Sequence, residues 1–184
     1  MEELHKAKQQ LRRDMASLKS SYTKTALQET SAKIMERLEA CSLFRQAECI
    51  ALYHAIPGEV QTAGLIEKWY QQKKILLPVV DGDDLRLILY TGKDSLKPGS
   101  FGILEPTGEN SVPESEIDLI IVPGVAFDRK KNRLGRGKGF YDRLLSTLQV
   151  PKIGICYDFQ LKEQIPVEPF DKKMDLIVTE KETV

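Results

Sequence analysis

Asp118-Leu119-Ile120-Ile121-Val122-Pro123 is an unbroken apolar run, closed by an acid at one end and a proline at the other. A strand with one wet face alternates; a run without alternation reads as a strand covered on both faces. Such strands belong to sheets layered between helices, and the flanking segments agree. Downstream, Gly139 to Leu148 has helical spacing, Lys152 to Tyr157 is another apolar strand, and Met174 to Val178 is a last one. Upstream, Cys49 to Ile56 is a short apolar strand stopped by Pro57-Gly58. Thr62 to Gln72 follows as a helix carrying Leu65, Ile66 and Trp69, and Lys74 to Val80 as the next strand. Leu85, Leu87 and Leu89 alternate with Arg86 and Ile88, the pattern of a strand with one wetter face. Two amphipathic helices open the chain. Residues 3–19 place Leu4, Ala7, Leu11, Met15 and Leu18 three or four apart, and Thr23 to Ala40 places Leu27, Ile34 and Leu38 on one stripe. The expected fold class is α/β, an open and largely parallel sheet with the N-terminal helices packed on it. In such sheets ligands bind beyond the carboxyl ends of the strands.

Composition narrows the function. At 184 residues the chain has the size of one domain, and residues 1–184 are read as one. Lysine plus arginine number 27 and so do the acids, which argues against a surface that grips nucleic acid or an anionic membrane as a whole. The hydrophobic share of 41% is too high for a disordered chain. Cys41, Cys49 and Cys156 are far apart and form no C-x-x-C, so they read as small buried side chains rather than zinc ligands or a redox pair. The charged start lacks a signal-peptide core, and no apolar stretch approaches the ~20 residues that span a bilayer. A cytoplasmic monomer is expected.

The strongest chemical signal lies between Arg129 and Asp142. Arg129, Lys130, Lys131, Arg133, Arg136 and Lys138 occur without an acid among them, and Gly135, Gly137 and Gly139 interleave the last two cations just before a helix. Glycines admit close backbone approach, a helix start offers unpaired N–H groups, and arginine grips oxygens in pairs. The combination reads as a polyphosphate cradle. It is no Walker A loop, since Gly139 follows Lys138 where a Ser or Thr would hold magnesium. The same run suits a solvated or RNA-contacting loop. Asp142, four residues after Lys138, suits either a magnesium ligand beside bound phosphates or an ion pair at the helix start. Glu59 follows the first strand at the ligand-binding edge, and His54 precedes it. With His5 the only other histidine, and with neither G-x-S-x-G nor H-E-x-x-H, triad hydrolysis and zinc catalysis are unsupported. Phe101 to Pro106 is a hydrophobic loop suited to walling an aromatic ligand or to covering the core. Lys8 and Arg12 lie four apart on one helix face, and Asp171 sits in a loop before the last strand.

Taken together, Lys8 to Arg12, Gly58 to Thr62, Phe101 to Pro106, Val122 to Asp128, Arg133 to Asp142 and Phe170 to Asp175 resemble the 5-formyltetrahydrofolate cyclo-ligase family, in the family's order and over almost the whole chain. Phe140 stands where the family often has Tyr, which removes one hydroxyl. The resemblance implies a three-layer α/β/α sandwich and a ring closure of 5-formyltetrahydrofolate to 5,10-methenyltetrahydrofolate that uses ATP and Mg²⁺ and releases ADP and phosphate. It implies that Arg133, Leu134, Gly135, Arg136, Gly137, Lys138, Gly139, Phe140 and Tyr141 bind ATP, joined by Lys8 and Arg12. Lys138 and Arg136 would counter charge at the transferred group, and Asp142 and Asp171 would hold magnesium. His54, Glu59, Phe101 and the loop from Arg136 to Phe140 would face the reduced folate, with the Glu59 carboxylate suited to the pterin's N–H edge. The partners are then ATP and the folate, with no nucleic acid and no membrane. Two other readings remain at this point, an RNA-binding module built on the basic glycine loop and a small-metabolite kinase that releases a phosphorylated product without cyclisation.

Overall fold

A computed structural model describes residues 2–184 and, at Phe101, the main chain alone. The chain runs through α1 (Glu2–Ser20), α2 (Lys24–Ala40), α3 (Ser42–Gln46), β1 (Cys49–Ala51), α4 (Ala63–Trp69), β2 (Lys74–Asp81) and β3 (Asp84–Leu89). It continues through β4 (Leu96–Pro98), β5 (Leu104–Pro106), β6 (Leu119–Val122), β7 (Ala126–Asp128), β8 (Arg133–Leu134), α5 (Phe140–Thr147), β9 (Lys152–Ile155), β10 (Leu161–Lys162) and β11 (Leu176–Val178).

Six strands form the main sheet in the order β11-β9-β6-β1-β2-β3, parallel except that β3 runs antiparallel to β2. The apolar run becomes β6, and every residue of that strand is buried. Its side chains divide between two cores. Leu119 and Ile121 pack with Ile34 and Leu38 of α2, Phe44 of α3 and Leu65 and Ile66 of α4. Ile120 and Val122 pack on the other side with Leu144 and Leu145 of α5. Fully burying each of these side chains stabilises the fold by ~1.5–3 kcal/mol, which is why alternation vanishes from a strand with helices on both faces. The result is helices, sheet and helix in three layers, as expected.

The N-terminal helices divide their work. α2 meets the main sheet, begun by Thr23, whose side chain accepts the Ala26 N–H. α1 instead buries Met15 against Ala126, Leu134 and Ile165, on a second sheet of order β10-β7-β8. That sheet and the β4–β5 hairpin were not expected, because strands of two or three residues show no period. They also dismantle part of the basic run. Arg129 to Lys131 form the turn between β7 and β8, held by Asp128, whose Oδ1 accepts the main-chain N–H of Lys130 and Asn132. Arg129 pairs with Glu163 and Glu182, the Lys131 ammonium donates to Asp175 O, and none of these three cations lines the glycine loop's cavity. No helix among the described residues is long and apolar enough to cross a membrane.

Candidate active site

The site begins where β1 stops short of its expected end. Leu52 N–H still donates to Leu76 O, but the Thr62 hydroxyl then donates to Tyr53 O at 2.6 Å and accepts from Ala55 N–H at 3.1 Å. Ile56 N–H donates to Glu59 Oε2 at 3.1 Å. These bonds satisfy the main chain without a sheet partner, and they set His54 and Glu59 beyond the carboxyl end of β1.

The glycine loop arrives from the opposite side. Gly137 has φ +95° and Gly139 φ +74°, conformations that L side chains rarely adopt, so both positions require glycine. Gly139 immediately precedes α5, whose first turn supplies Phe140, Tyr141 and Asp142. The two pieces meet in an ion pair formed by residues 77 positions apart: Arg136 Nη2 and Nε donate to Glu59 Oε1 at 2.9 and 3.2 Å.

Between them lies a cavity of about 360 Å³ at the carboxyl end of the sheet, within the ~300–1,000 Å³ usual for small-molecule sites. Its apolar wall comes from Ile56, Pro78, Val80, Leu85 and Ile103. Its polar groups come from His54, Glu59, Glu105, Arg133, Arg136, Lys138 and Asp142. Arg133 is nearly sealed, its side chain 3% exposed. It donates to Pro123 O at 3.1 Å and to Asp142 Oδ1 at 3.0 Å, and its Nε is buried without a partner among the described residues. Asp142 therefore pairs with Arg133, not with Lys138. Burial lowers the pKa of His54 below its ordinary value against smaller opposing contributions from the Ala55 main chain and Glu67, which favours the neutral ring at pH 7. Burial first, then the charge of Glu59, raises the Tyr141 phenol, with Arg133 opposing, so it stays protonated.

The loop's other face carries a second group of charges. Arg12 Nε donates to Gly135 O at 2.9 Å, and its guanidinium lies 3.4 Å from where a Cβ on Gly137 would stand. Lys8 Nζ donates to Asp171 at 2.6 Å and Glu168 at 2.5 Å. Burial alone would lower the Lys8 pKa, but those two carboxylates outweigh it and the net shift is upward. Asp171, Glu168 and Asp142 are all near enough to act on the Arg12 charge. Arg12 thus rests on the glycine loop with Lys8 and Asp171 behind it, and none of the three lines the cavity.

Most of the residues singled out in the sequence converge. His54, Glu59, Arg133, Gly135, Arg136, Gly137, Lys138, Gly139, Phe140, Tyr141 and Asp142 all line the cavity. Leu134 does not line the cavity: its side chain is buried against Met15 and its carbonyl accepts from Val125 N–H, which leaves its main-chain N–H as the group that could face a nucleotide. The side chain of Phe101 lies outside the described residues. Glu105 was missed, as were Pro78 and Val80, because nothing local separates them from ordinary strand residues. Lys19 was missed too. Its ammonium lies 2.8 Å from where a Cβ on Gly58 would stand, and its pKa is lowered by burial and then by Arg136, with Glu59 opposing.

A mostly parallel α/β fold whose glycine-rich cationic loop lines a partly apolar cavity at the carboxyl end of its sheet is the frame of a small-molecule enzyme. The comparisons with known proteins agree. The model of the 5-formyltetrahydrofolate cyclo-ligase family matches residues 4–180. A 5-formyltetrahydrofolate cyclo-ligase of Haemophilus influenzae is 37% identical over 184 aligned residues, covering 93% of this chain and 97% of that one. A probable 5-formyltetrahydrofolate cyclo-ligase of Schizosaccharomyces pombe is 32% identical, covering 96% and 97%. The solved structure of an Aquifex aeolicus 5,10-methenyltetrahydrofolate synthetase superposes with a TM-score of 0.88 at 35% identity, covering 96% of this chain and 91% of that one. The chain is an enzyme of the 5-formyltetrahydrofolate cyclo-ligase family.

Proposed function

We propose that the protein closes 5-formyltetrahydrofolate to 5,10-methenyltetrahydrofolate at the expense of ATP, in the cavity between Glu59 and the glycine loop. The observation that carries this reading is the joining of two chemistries in one chamber: an apolar wall of Ile56, Pro78, Val80, Leu85 and Ile103, and a loop of glycines and cations suited to oxyanions. Neither a nucleic-acid groove nor a simple phosphate site needs both.

The formyl group on N5 is amide-like, so its carbon is a poor electrophile and its oxygen a poor leaving group. Transfer of the γ-phosphoryl group to that oxygen releases ADP and makes the oxygen a leaving group. N10 then attacks the formyl carbon and gives up its proton, and the N5 lone pair expels phosphate to leave the methenyl bridge. Phosphoryl transfer needs chiefly positioning and charge neutralisation. Lys138 and Arg136 meet the negative charge that accumulates on the transferred oxygens. The Glu59 carboxylate holds the Arg136 guanidinium at the cavity wall. The Arg133 Nε–H is a buried donor awaiting an acceptor, the kind of group an oxyanion satisfies.

Magnesium suits the acids present. It takes one or two carboxylates and completes its shell with phosphate oxygens and water, so it needs no protein-built cluster. Asp142 and Asp171 would hold it, and it would neutralise phosphate charge during transfer. Arg133 and Lys8 occupy those two carboxylates here, so metal and nucleotide would enter by exchange of partners. Reduced folate, ATP and Mg²⁺ incubated with the protein should give the ultraviolet absorbance of the methenyl product, and omission of ATP should abolish it. Asp142→Asn should move the Mg²⁺ midpoint of that signal upward by about tenfold. A phosphorylated folate released without cyclisation would favour a kinase, and an unchanged Mg²⁺ titration would remove Asp142 from the metal site.

A further inference from the structure

Glu105, on β5, lines the cavity and is only 5% exposed. Its company sets it apart from the other acids of the site. Glu59 is paired with Arg136, Asp142 with Arg133 and Asp171 with Lys8. Glu105 has a single long hydrogen bond, from Val80 N–H to Oε1 at 3.3 Å, and among the described residues no cation pairs with it. A carboxylate offers about four acceptor positions, and removing it from water without donors is costly. The neighbouring cavity wall makes this worse, since Pro78, Val80, Leu85 and Ile103 offer no side-chain donor.

The hairpin that carries Glu105 is shaped to accept it. A Cβ on Gly99 would lie 2.2 Å from Glu105 Oε2, while Gly99 itself has φ −112°. Glycine is needed there for room, not for a left-handed turn. Gly99 therefore leaves room for a buried carboxylate at the cavity wall that the fold supplies with one long hydrogen bond.

Resting on the function proposed above, we infer that Glu105 recognises the N3–H and 2-amino edge of the reduced pterin and so determines which heterocycle enters and how it is oriented. That edge presents two adjacent N–H donors, which match the two oxygens of one carboxylate. Glu59 is poorly placed for this task, because Arg136 takes its Oε1 twice and Ile56 N–H takes its Oε2. The two acids of the cavity divide the substrate between them: Glu59 fixes the cation that serves the phosphoryl group, and Glu105 fixes the ring whose formyl oxygen receives it.

The competing explanation is structural, with Glu105 doing no more than tying the β4–β5 hairpin to β2 through Val80. The test assays wild type and Glu105→Gln by methenyl absorbance, with 5-formyltetrahydrofolate and with its 2-desamino-2-methyl analogue, which lacks the amino donors. Wild type should show a KM about 10- to 100-fold higher for the analogue, with kcat within a few-fold, the scale of lost hydrogen bonds to a charged group. Glu105→Gln should raise the KM of the parent folate about tenfold, reduce discrimination against the analogue to about threefold or less, and leave the KM for ATP unchanged. Equal KM values for the two folates in wild type overturn the inference, and that comparison does not depend on a variant that folds. A variant that loses thermal stability and kcat while keeping full discrimination also overturns it, in favour of the structural role. Wild type that makes no methenyl product from the parent folate overturns the proposed function and this inference together, whereas product formation without discrimination removes this inference alone.

Discussion

The glycine loop has two faces, and they are built on different terms. Toward the cavity its neighbours are apolar residues, a neutral-leaning histidine, an orphaned Arg133 Nε and the nearly donorless Glu105. Toward α1 its neighbours are Arg12 and, behind it, Lys8 locked between Glu168 and Asp171. The inner face leaves buried hydrogen-bonding capacity unspent; on the outer face Lys8, Glu168 and Asp171 spend theirs on one another, and Arg12 spends its Nε–H on the loop. Unspent capacity beside a cavity points to a ligand, because the fold gains nothing from leaving it open. Spent capacity among buried charges points first to holding the loop in shape, and to nucleotide contact only if partners can be exchanged.

The largest expected effect lies on the loop between those faces. Lys138 is the cation the mechanism asks to stabilise the transferring group, so Lys138→Ala should lower turnover by about 10²–10³ at saturating ATP, the scale for losing one charge-stabilising donor. Steady-state kinetics with both substrates saturating reads this directly. Turnover near that of wild type would take Lys138 out of the transition state and leave the inner face as a binding surface only.

Lys8→Met sharpens the contrast from the other side. It leaves Glu168 and Asp171, which share one ammonium at 2.5 and 2.6 Å, without their counter-charge. Breaking a buried pair costs ~3–5 kcal/mol, and because Glu168 keeps some contact with water we expect roughly 2–4 kcal/mol here. Chemical denaturation should show that loss, with folate affinity by calorimetry unchanged. A raised KM for ATP alongside it would make the outer face part of the nucleotide site. Lost stability with intact ATP kinetics would make Lys8 a strut for the loop and nothing more.

This division explains which features could be read from the chain alone. The main sheet was legible because a strand covered on both faces, such as Leu119 to Val122, carries its environment in its own composition. The loop was legible because Gly137 and Gly139 hold positive φ that their neighbours could not, and such glycines stand out in a sequence. Contacts that depend on distant partners were hidden. Nothing near Arg136 announces Glu59, and nothing near Lys8 announces Asp171, 163 positions on. The place of the Leu134 side chain was hidden too: it sits inside a cationic motif, but β8 turns it inward against α1. The second sheet was illegible because two- and three-residue strands are made by pairing, not by propensity. Glu105 was passed over because its significance is the scarcity of donors around it, a property of the assembled cavity rather than of the segment that holds it.

The smallest expected effect concerns the inner face's histidine and works through pH. The His54 pKa is lowered from 6.5 in the folded protein, chiefly by burial, so the unfolded chain binds a proton more readily than the folded one. Stability then rises with pH wherever the unfolded state carries the extra proton, and falls as pH drops below about 6.5 toward the folded pKa. Above that window His54 costs nothing; below it the penalty is complete and constant. His54→Asn should remove this contribution, so thermal melts of variant and wild type should diverge between pH 7 and pH 5, with the variant losing less. Lys8 makes a useful contrast, since its raised pKa supports stability that is present throughout this range and fades only as pH climbs beyond 10.5. If His54→Asn instead tracks wild type through the window, the imidazole is free to charge in place. The inner face would then be wetter than its burial implies, and the case for a dry, ring-sized slot beside the glycine loop would weaken with it.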